Sequence, residues 1–170
     1  PSYGTSEEVL GEHPLKKNLK ITTKTVLSAE KKHTKETVRH VLAGFRASLS
    51  KLQLNSIYGL LIHDTGDIKK PDFSRLAAAL RNLKTDGLVS KIGISAYTEE
   101  DILVANEHLK LDIIQIPINL CNQNFSNSNY IKTLSEKGVE IHARSIFLQG
   151  LLLENPERIP EPMSELKEKL

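Results

Sequence analysis

With one cysteine, Cys121, the chain cannot form an intramolecular disulfide. No apolar run approaches the ~20 residues that a helix needs to span a bilayer, and no signal peptide opens the sequence. The expectation is a protein of a reducing compartment, the cytoplasm, with no membrane partner. Glycine-rich phosphate cradles of the forms G-x-G-x-x-G and G-x-x-x-x-G-K-[ST] are absent, so a bound nucleotide would be held by another device. The 6 histidines fall into no HExxH or CxxC pattern, and no metal site is expected. An excess of one charge is lacking too: 23 basic against 21 acidic side chains leave +2, and aromatics are only 5% of residues. The pairs Lys16-Lys17, Lys31-Lys32 and Lys69-Lys70 lie far apart and read as solvated faces. A nucleic-acid groove is not expected.

What is present is an apolar stretch, Leu60-Leu61-Ile62, that stops abruptly at His63-Asp64. Such a run reads as a strand buried on both faces of a parallel sheet, whose end is where chemistry gathers in α/β folds. Around it, strands and helices alternate. Strands are expected at 19–24, 56–64, 91–95, 113–118 and 139–144. The surest helix runs from 34 to about 52, with Val38, Val41, Leu42, Phe45, Leu49 and Leu52 at helical spacing. Others are expected to open at Ser6 with Glu7 and Glu8 in the first turn, at Asp72 as a cap with a close near Gly87, at Thr98 with a capping-box spacing to Asp101, and over 130–137 before Gly138. Asp64-Thr-Gly-Asp67 reads as turn chemistry, and a last helix is expected over 164–170. No internal linker divides the sequence, so 1–170 is read as one domain. Strict alternation means βαβ units and a parallel sheet. Barrel and open sheet both satisfy it, but about five strands fall short of the eight strands and roughly 250 residues of a closed barrel.

Polar residues end these strands at Lys24, His63, Ser95 and Arg144, and Tyr3 stands in a glycine-containing loop. Tyr3, Lys24 and His63 suggest proton transfer. A phenol titrates near ~10 in water, and an ammonium held beside it stabilises the phenolate and makes it a better acid. A neutral imidazole can hold a carbonyl oxygen within reach of that phenol.

Read in order, Tyr3-Gly4-x-Ser6-Glu7-x-x-Leu10-Gly11, Thr22-Thr23-Lys24, Leu61-Ile62-His63, Gly93-Ile94-Ser95, Ile114-Gln115-Ile116-Pro117-x-Asn119 and His142-Ala143-Arg144-Ser145 with Leu148-Gln149-Gly150 resemble the aldo-keto reductases. Each motif alone is weak, and six in the right order are specific. The resemblance implies a parallel (β/α)8 TIM barrel, here incomplete, that transfers a hydride between a nicotinamide cofactor and an aldehyde or ketone, NADP(H) ranking ahead of NAD(H). By similarity Tyr3 is the general acid, Lys24 assists it and His63 orients the carbonyl. Ser95 and Gln115 would hold the carboxamide, Arg144 takes the place where many members stack an aromatic on the nicotinamide ring, and Ser145, Leu148, Gln149 and Gly150 would meet the pyrophosphate. The partners implied are a small carbonyl or alcohol substrate and the cofactor.

The departures from the family pattern are equally specific. The aspartate that pairs with the lysine would precede Pro1, Ala96 stands where an asparagine is usual, and Tyr58 stands where many members have an aspartate. The loop that grips the adenosine phosphate would lie beyond Leu170. An internal segment of a reductase is therefore expected, with two unpaired sheet edges. Taken singly, each residue has a plain reading: Tyr3 as a loop tyrosine, Lys24 as a solvated strand-end lysine, His63 as a core histidine bonded to backbone, Gln115 as an amide bonded to a neighbouring strand, and Arg144 as an ion-pair partner. Tyr58, Tyr97 and Tyr130 read as packing residues, and Asn119 and Cys121 as the rim of a pocket. The rival functions are a non-catalytic scaffold of the same family, and an α/β enzyme of flavodoxin-like strand order.

Overall fold

The computed structural model describes residues 2–158, so the helix expected over 164–170 lies outside the described residues. Helix α1 (Ser6–Glu12) is followed by strand β1 (Thr22–Lys24) and the long helix α2 (Lys35–Leu52), then by β2 (Ile57–Ile62), the single turn α3 (Gly66–Lys69) and α4 (Phe73–Thr85). Next come β3 (Val89–Ser95), α5 (Glu99–Leu109), β4 (Ile113–Pro117), α6 (Asn129–Glu136) and β5 (Glu140–Arg144).

The helix ends follow local chemistry. Thr34 opens α2 by accepting from the Thr37 amide, and Thr98 opens α5 by accepting from the Asp101 amide while the Asp101 carboxylate reaches back to the Thr98 amide. Beyond α4 and α6 the chain turns at Gly87 and Gly138, with φ of 74° and 87°, a left-handed conformation that glycine adopts without a Cβ penalty. Asp72 departs from expectation. It precedes α4 at φ 62° and makes no side-chain cap; its carboxylate lies 3.6 Å from Arg75 instead.

All five strands are parallel and lie in the order β1-β2-β3-β4-β5. A doubly wound sheet reverses its order at a switch point and carries helices on both faces. Here the order never reverses, and one face carries the helices. Ile57, Leu60, Ile62, Ile92, Ile94, Ile114 and Ile116 share a core cluster with Val41, Phe45, Leu76, Leu80, Ile102 and Leu109 from the helices. By the two-residue alternation of a strand, the other face carries Lys24, Leu61, Lys91, Gly93, Ser95, Ile113, Gln115, Glu140, His142 and Arg144. This is an arc of the (β/α)8 barrel, apolar outside and mixed inside, and it excludes the flavodoxin-like order.

Curvature is visible in contacts between strands that are not neighbours. At about 4.8 Å per strand, β2 and β5 would stand about 14 Å apart in a flat sheet, yet the Tyr58 hydroxyl on β2 donates to the Glu140 carboxylate on β5. A slip in β2 turns Tyr58 inward: the Tyr58 and Gly59 amides both donate to Ile21 O, at 3.0 and 3.1 Å. At Gly93 a Cβ would come within 1.8 Å of Ile113 O, so glycine is what lets β3 and β4 lie this close.

Two expectations fail locally. The strand expected over 19–24 is only Thr22–Lys24, because a 3₁₀ turn at Lys16–Asn18 is closed by the Leu19 amide on Lys16 O (3.2 Å). The turn expected at 64–67 continues into α3. Its anchors are distant in sequence: buried His33 bonds Asp67 O at 2.7 Å, and Lys70 Nζ joins the Asp67 carboxylate (2.6 Å) to Ser28 O (2.7 Å).

Candidate active site

Tyr3 is placed by the start of α1. The Ser6 hydroxyl and amide both donate to Tyr3 O, at 2.6 and 3.2 Å, and Gly4 takes a φ of 59° between them. The helix then seats on α2, where a Cβ at Gly11 would meet Lys51 O at 2.1 Å. Glu7 ties α1 to β1 by accepting from Thr23 Oγ1 at 2.6 Å. Burial pushes the Glu7 carboxyl upward, but hydroxyl bonds from Thr23 and Ser48 outweigh it and hold the group below its ordinary value.

The result is that Tyr3 lies over the end of β1. Lys24 Nζ donates to the Tyr3 hydroxyl at 3.0 Å and stands 5.4 Å from the ring centroid. His63 leaves β2 with its amide on Thr25 Oγ1 (3.2 Å), and its ring centroid lies 6.2 Å from that of Tyr3. Its Nδ1 is buried without a partner. Burial, followed by the nearby Lys24 cation, holds the imidazole below its ordinary titration range; Asp64 pulls the other way, and Arg144 adds a smaller push downward.

A second group continues along the same strand ends. Ser95 is buried and pairs in register with Gln115, and Pro117 pairs with Arg144. Three polar atoms here are buried and unpartnered: Gln115 Oε1, Arg144 Nε and Arg144 Nη2. The plain readings of Gln115 as strand-bonded and of Arg144 as an ion-pair member therefore do not describe these atoms. The Arg144 guanidinium instead lies 4.4 Å from the Tyr97 ring centroid.

Beyond β5 the chain enters a strained loop. Ser145, Leu148 and Gln149 have φ of 57°, 46° and 58°, and Gly150 has 96°. Left-handed backbone at three residues other than glycine is unusual and concentrates at functional loops. Asn119, buried after β4, ties this loop down by donating from Nδ2 to Ser145 O (3.2 Å) while its Oδ1 accepts from the Cys121 and Asn122 amides. Cys121 itself is exposed and free.

The ten candidate positions thus fall into three adjoining groups: Tyr3, Lys24 and His63; Ser95, Gln115 and Arg144; and the loop of Ser145, Leu148, Gln149 and Gly150. Tyr97, against Arg144, and Glu7, bonded to Thr23, border these groups, although the sequence reads Tyr97 as a packing residue. Tyr97 follows a strand-end serine by two residues, a positional hint that no periodicity supplies. Glu7 stands in the sequence as a first-turn acid and as part of the Tyr3-Gly4-x-Ser6-Glu7 motif, with its bond to Thr23 shown only by the fold. A concavity of about 460 Å³ opens at the opposite, N-terminal strand ends beside Lys16, Lys20, Ser56 and Tyr58, remote from these groups. Among the described residues no three of His, Cys, Asp and Glu converge as metal ligands, and no helix is long and apolar enough to cross a membrane.

Compared with known proteins, residues 1–170 match the aldo/keto reductase family. No curated protein matches the chain. Among solved structures, it is similar to the holo form of the aldo-keto reductase AKR11C1 from Bacillus halodurans, at 19% identity and a TM-score of 0.72, over 91% of this chain and 52% of that one. Against the glycerol dehydrogenase AKR11B4 from Gluconobacter oxydans the values are 24% and 0.64, over 91% and 48%. Against the Bombyx mori aldo-keto reductase AKR2E4 in complex with NADP they are 25% and 0.58, over 82% and 48%. The chain spans about half the length of these structures. A match that runs from the first residue to the last, on an arc of the same barrel, makes this chain a member of the aldo/keto reductase family.

Proposed function

We propose that residues 1–170 form one domain of a carbonyl reductase in which Tyr3 gives the proton, Lys24 stabilises the phenolate left behind and His63 orients the carbonyl oxygen. The observation that carries this reading is the bond from Lys24 Nζ to the Tyr3 hydroxyl, 3.0 Å long, beside an imidazole whose protonation is disfavoured by burial and by the Lys24 charge. A neutral imidazole holds a carbonyl oxygen by hydrogen bonding, and the phenol beside it can deliver a proton to that oxygen as charge builds there. An ammonium in contact with the phenol offsets the negative charge that then forms. In the reverse direction the same phenolate accepts the proton of an alcohol.

The unpartnered atoms at the neighbouring strand ends suit a nicotinamide cofactor. Gln115 Oε1 can accept from a carboxamide N–H, and Arg144 Nε and Nη2 can donate to an oxygen or anion. Ser95 lies beside Gln115, while Ala96, fully buried, brings no polar group. The left-handed turn through Ser145, Leu148, Gln149 and Gly150 suits backbone binding of a pyrophosphate. Such a cofactor would supply the hydride; the chain supplies the proton and the positions. NADP(H) ranks ahead of NAD(H), supported by the NADP complex of the silkworm relative. The substrate is a small aldehyde, ketone or corresponding alcohol, and the setting is cytoplasmic.

The test is Tyr3→Phe in the full-length protein. The expected outcome is a loss of kcat on the order of 10²-fold or more with the dissociation constant for NADPH unchanged. Unchanged turnover would place the proton donor elsewhere, and no binding of either nicotinamide cofactor by the unaltered protein would favour a non-catalytic scaffold.

A further inference from the structure

Arg144 poses a physical question that its strand position does not answer. A guanidinium on a long flexible stem normally turns to the nearest acceptor, yet here Nε and Nη2 are both buried and unpaired. What holds it is the face of Tyr97, 4.4 Å away. Tyr97 follows β3 and Arg144 ends β5, so the pair reaches across β4, the strand that carries Gln115. A planar guanidinium stacked on a ring satisfies its face while leaving its edge N–H groups free.

The backbone that carries the ring is fixed from behind. The Tyr97 amide donates to Asp101 Oδ2 at 3.3 Å, and the Thr98 amide donates to the same oxygen at 3.1 Å. Lys69 Nζ lies 3.0 Å from the other Asp101 oxygen. The cap of α5 therefore positions Tyr97, although 58% of the residue is exposed and its burial contributes little to the core.

We propose that Tyr97 is a positioning residue of the cofactor site, holding the Arg144 guanidinium across β4 so that its unpaired donors stay available to the bound nicotinamide nucleotide. This rests on the cofactor reading above. Tyr97 acts only through Arg144, and the aromatic face, not the hydroxyl, is what it contributes.

The experiment is a titration of the full-length protein with NADPH, and with NADH in parallel, for the unaltered chain and for Tyr97→Leu, Tyr97→Phe, Arg144→Ala and the Tyr97→Leu/Arg144→Ala pair. Tyr97→Leu is expected to weaken binding about 3- to 10-fold with the melting temperature of the cofactor-free protein unchanged. Tyr97→Phe should stay within about twofold of the unaltered protein, and Tyr97→Leu should cost nothing further once Arg144 is alanine. Undiminished binding by Tyr97→Leu, or an equal loss in the Arg144→Ala background, overturns the inference and leaves the function standing. Failure of the unaltered protein to bind either nucleotide overturns both.

Discussion

At the scale of single residues, the titration of His63 is set first by burial and then by the Lys24 charge. The Lys24 cation acts in the same direction as burial, and Asp64 opposes both by more than Arg144 adds. The imidazole is therefore expected to take up its proton only below 6.5, its ordinary value, and to remain a neutral hydrogen-bonding group through the neutral range. In Lys24→Met one opposing charge is gone, and the His63 titration should move upward. Following the His63 ring proton by NMR against pH checks this, and an unmoved midpoint would show that burial alone sets it. The three members of this group were legible in the sequence as a set, but their contact was not. Tyr3 is brought to Lys24 by a serine–backbone turn, by Glu7 on Thr23 and by the close seat at Gly11. None of these has a signature in residue spacing.

At the scale of elements, two helix starts that the sequence reads as capped differ in the fold. Thr98 caps α5 in a reciprocal box with Asp101, whereas Asp72 makes no cap on α4. Loss of an N-cap costs about 1 kcal/mol. Thr98→Ala is accordingly expected to lower unfolding stability by about that amount, and Asp72→Ala by less than about 0.5 kcal/mol, a value usual for surface positions. Denaturant unfolding of the two variants separates them, and equal losses would contradict the difference in capping. The sequence marks a capping box only at Thr98, and the reason Asp72 makes no cap at all is backbone conformation. Thr98 is extended, with its hydroxyl facing the first turn, while Asp72 sits at φ 62° with its carboxylate toward Arg75. Similarly, α3 was read as a turn because its anchors, His33 and Ser28, come from more than thirty residues earlier.

At the scale of the molecule, the barrel's inner face carries a polar network at the end remote from the site. Glu140 on β5 accepts from Tyr58 on β2 and from Lys91 Nζ on β3 at 2.8 Å, with His142 3.5 Å away. Hydrogen bonds from Lys91, then Tyr58, draw the Glu140 carboxyl down to about 2 from 4.5. An acid whose folded value is depressed stabilises the fold in full above its unfolded value, and that contribution disappears as the folded state is protonated. The network should therefore hold above about pH 4.5 and be lost progressively as pH falls toward 2. Glu140→Gln is expected to flatten this part of the acid limb in a plot of melting temperature against pH, with little change in slope above it. A limb of unaltered steepness would show that other carboxylates carry the acid sensitivity.

The sequence by itself determined the alternation of strands and helices, the parallel sheet, the polar strand ends and, through six motifs in order, the family. The alternation, the sheet and the strand ends are properties of residue type and local spacing, whereas the family rests on the resemblance of the motifs. The tertiary structure decided what depends on distance across the chain. It chose an unreversed strand order over a doubly wound one, curled the sheet until Tyr58 met Glu140, and set Tyr97 over Arg144 across an intervening strand. It also left Gln115 Oε1, Arg144 Nε and Arg144 Nη2 buried and unpaired at one mouth. Such contacts join side chains tens of residues apart, and only the closing arc brings them within bonding distance.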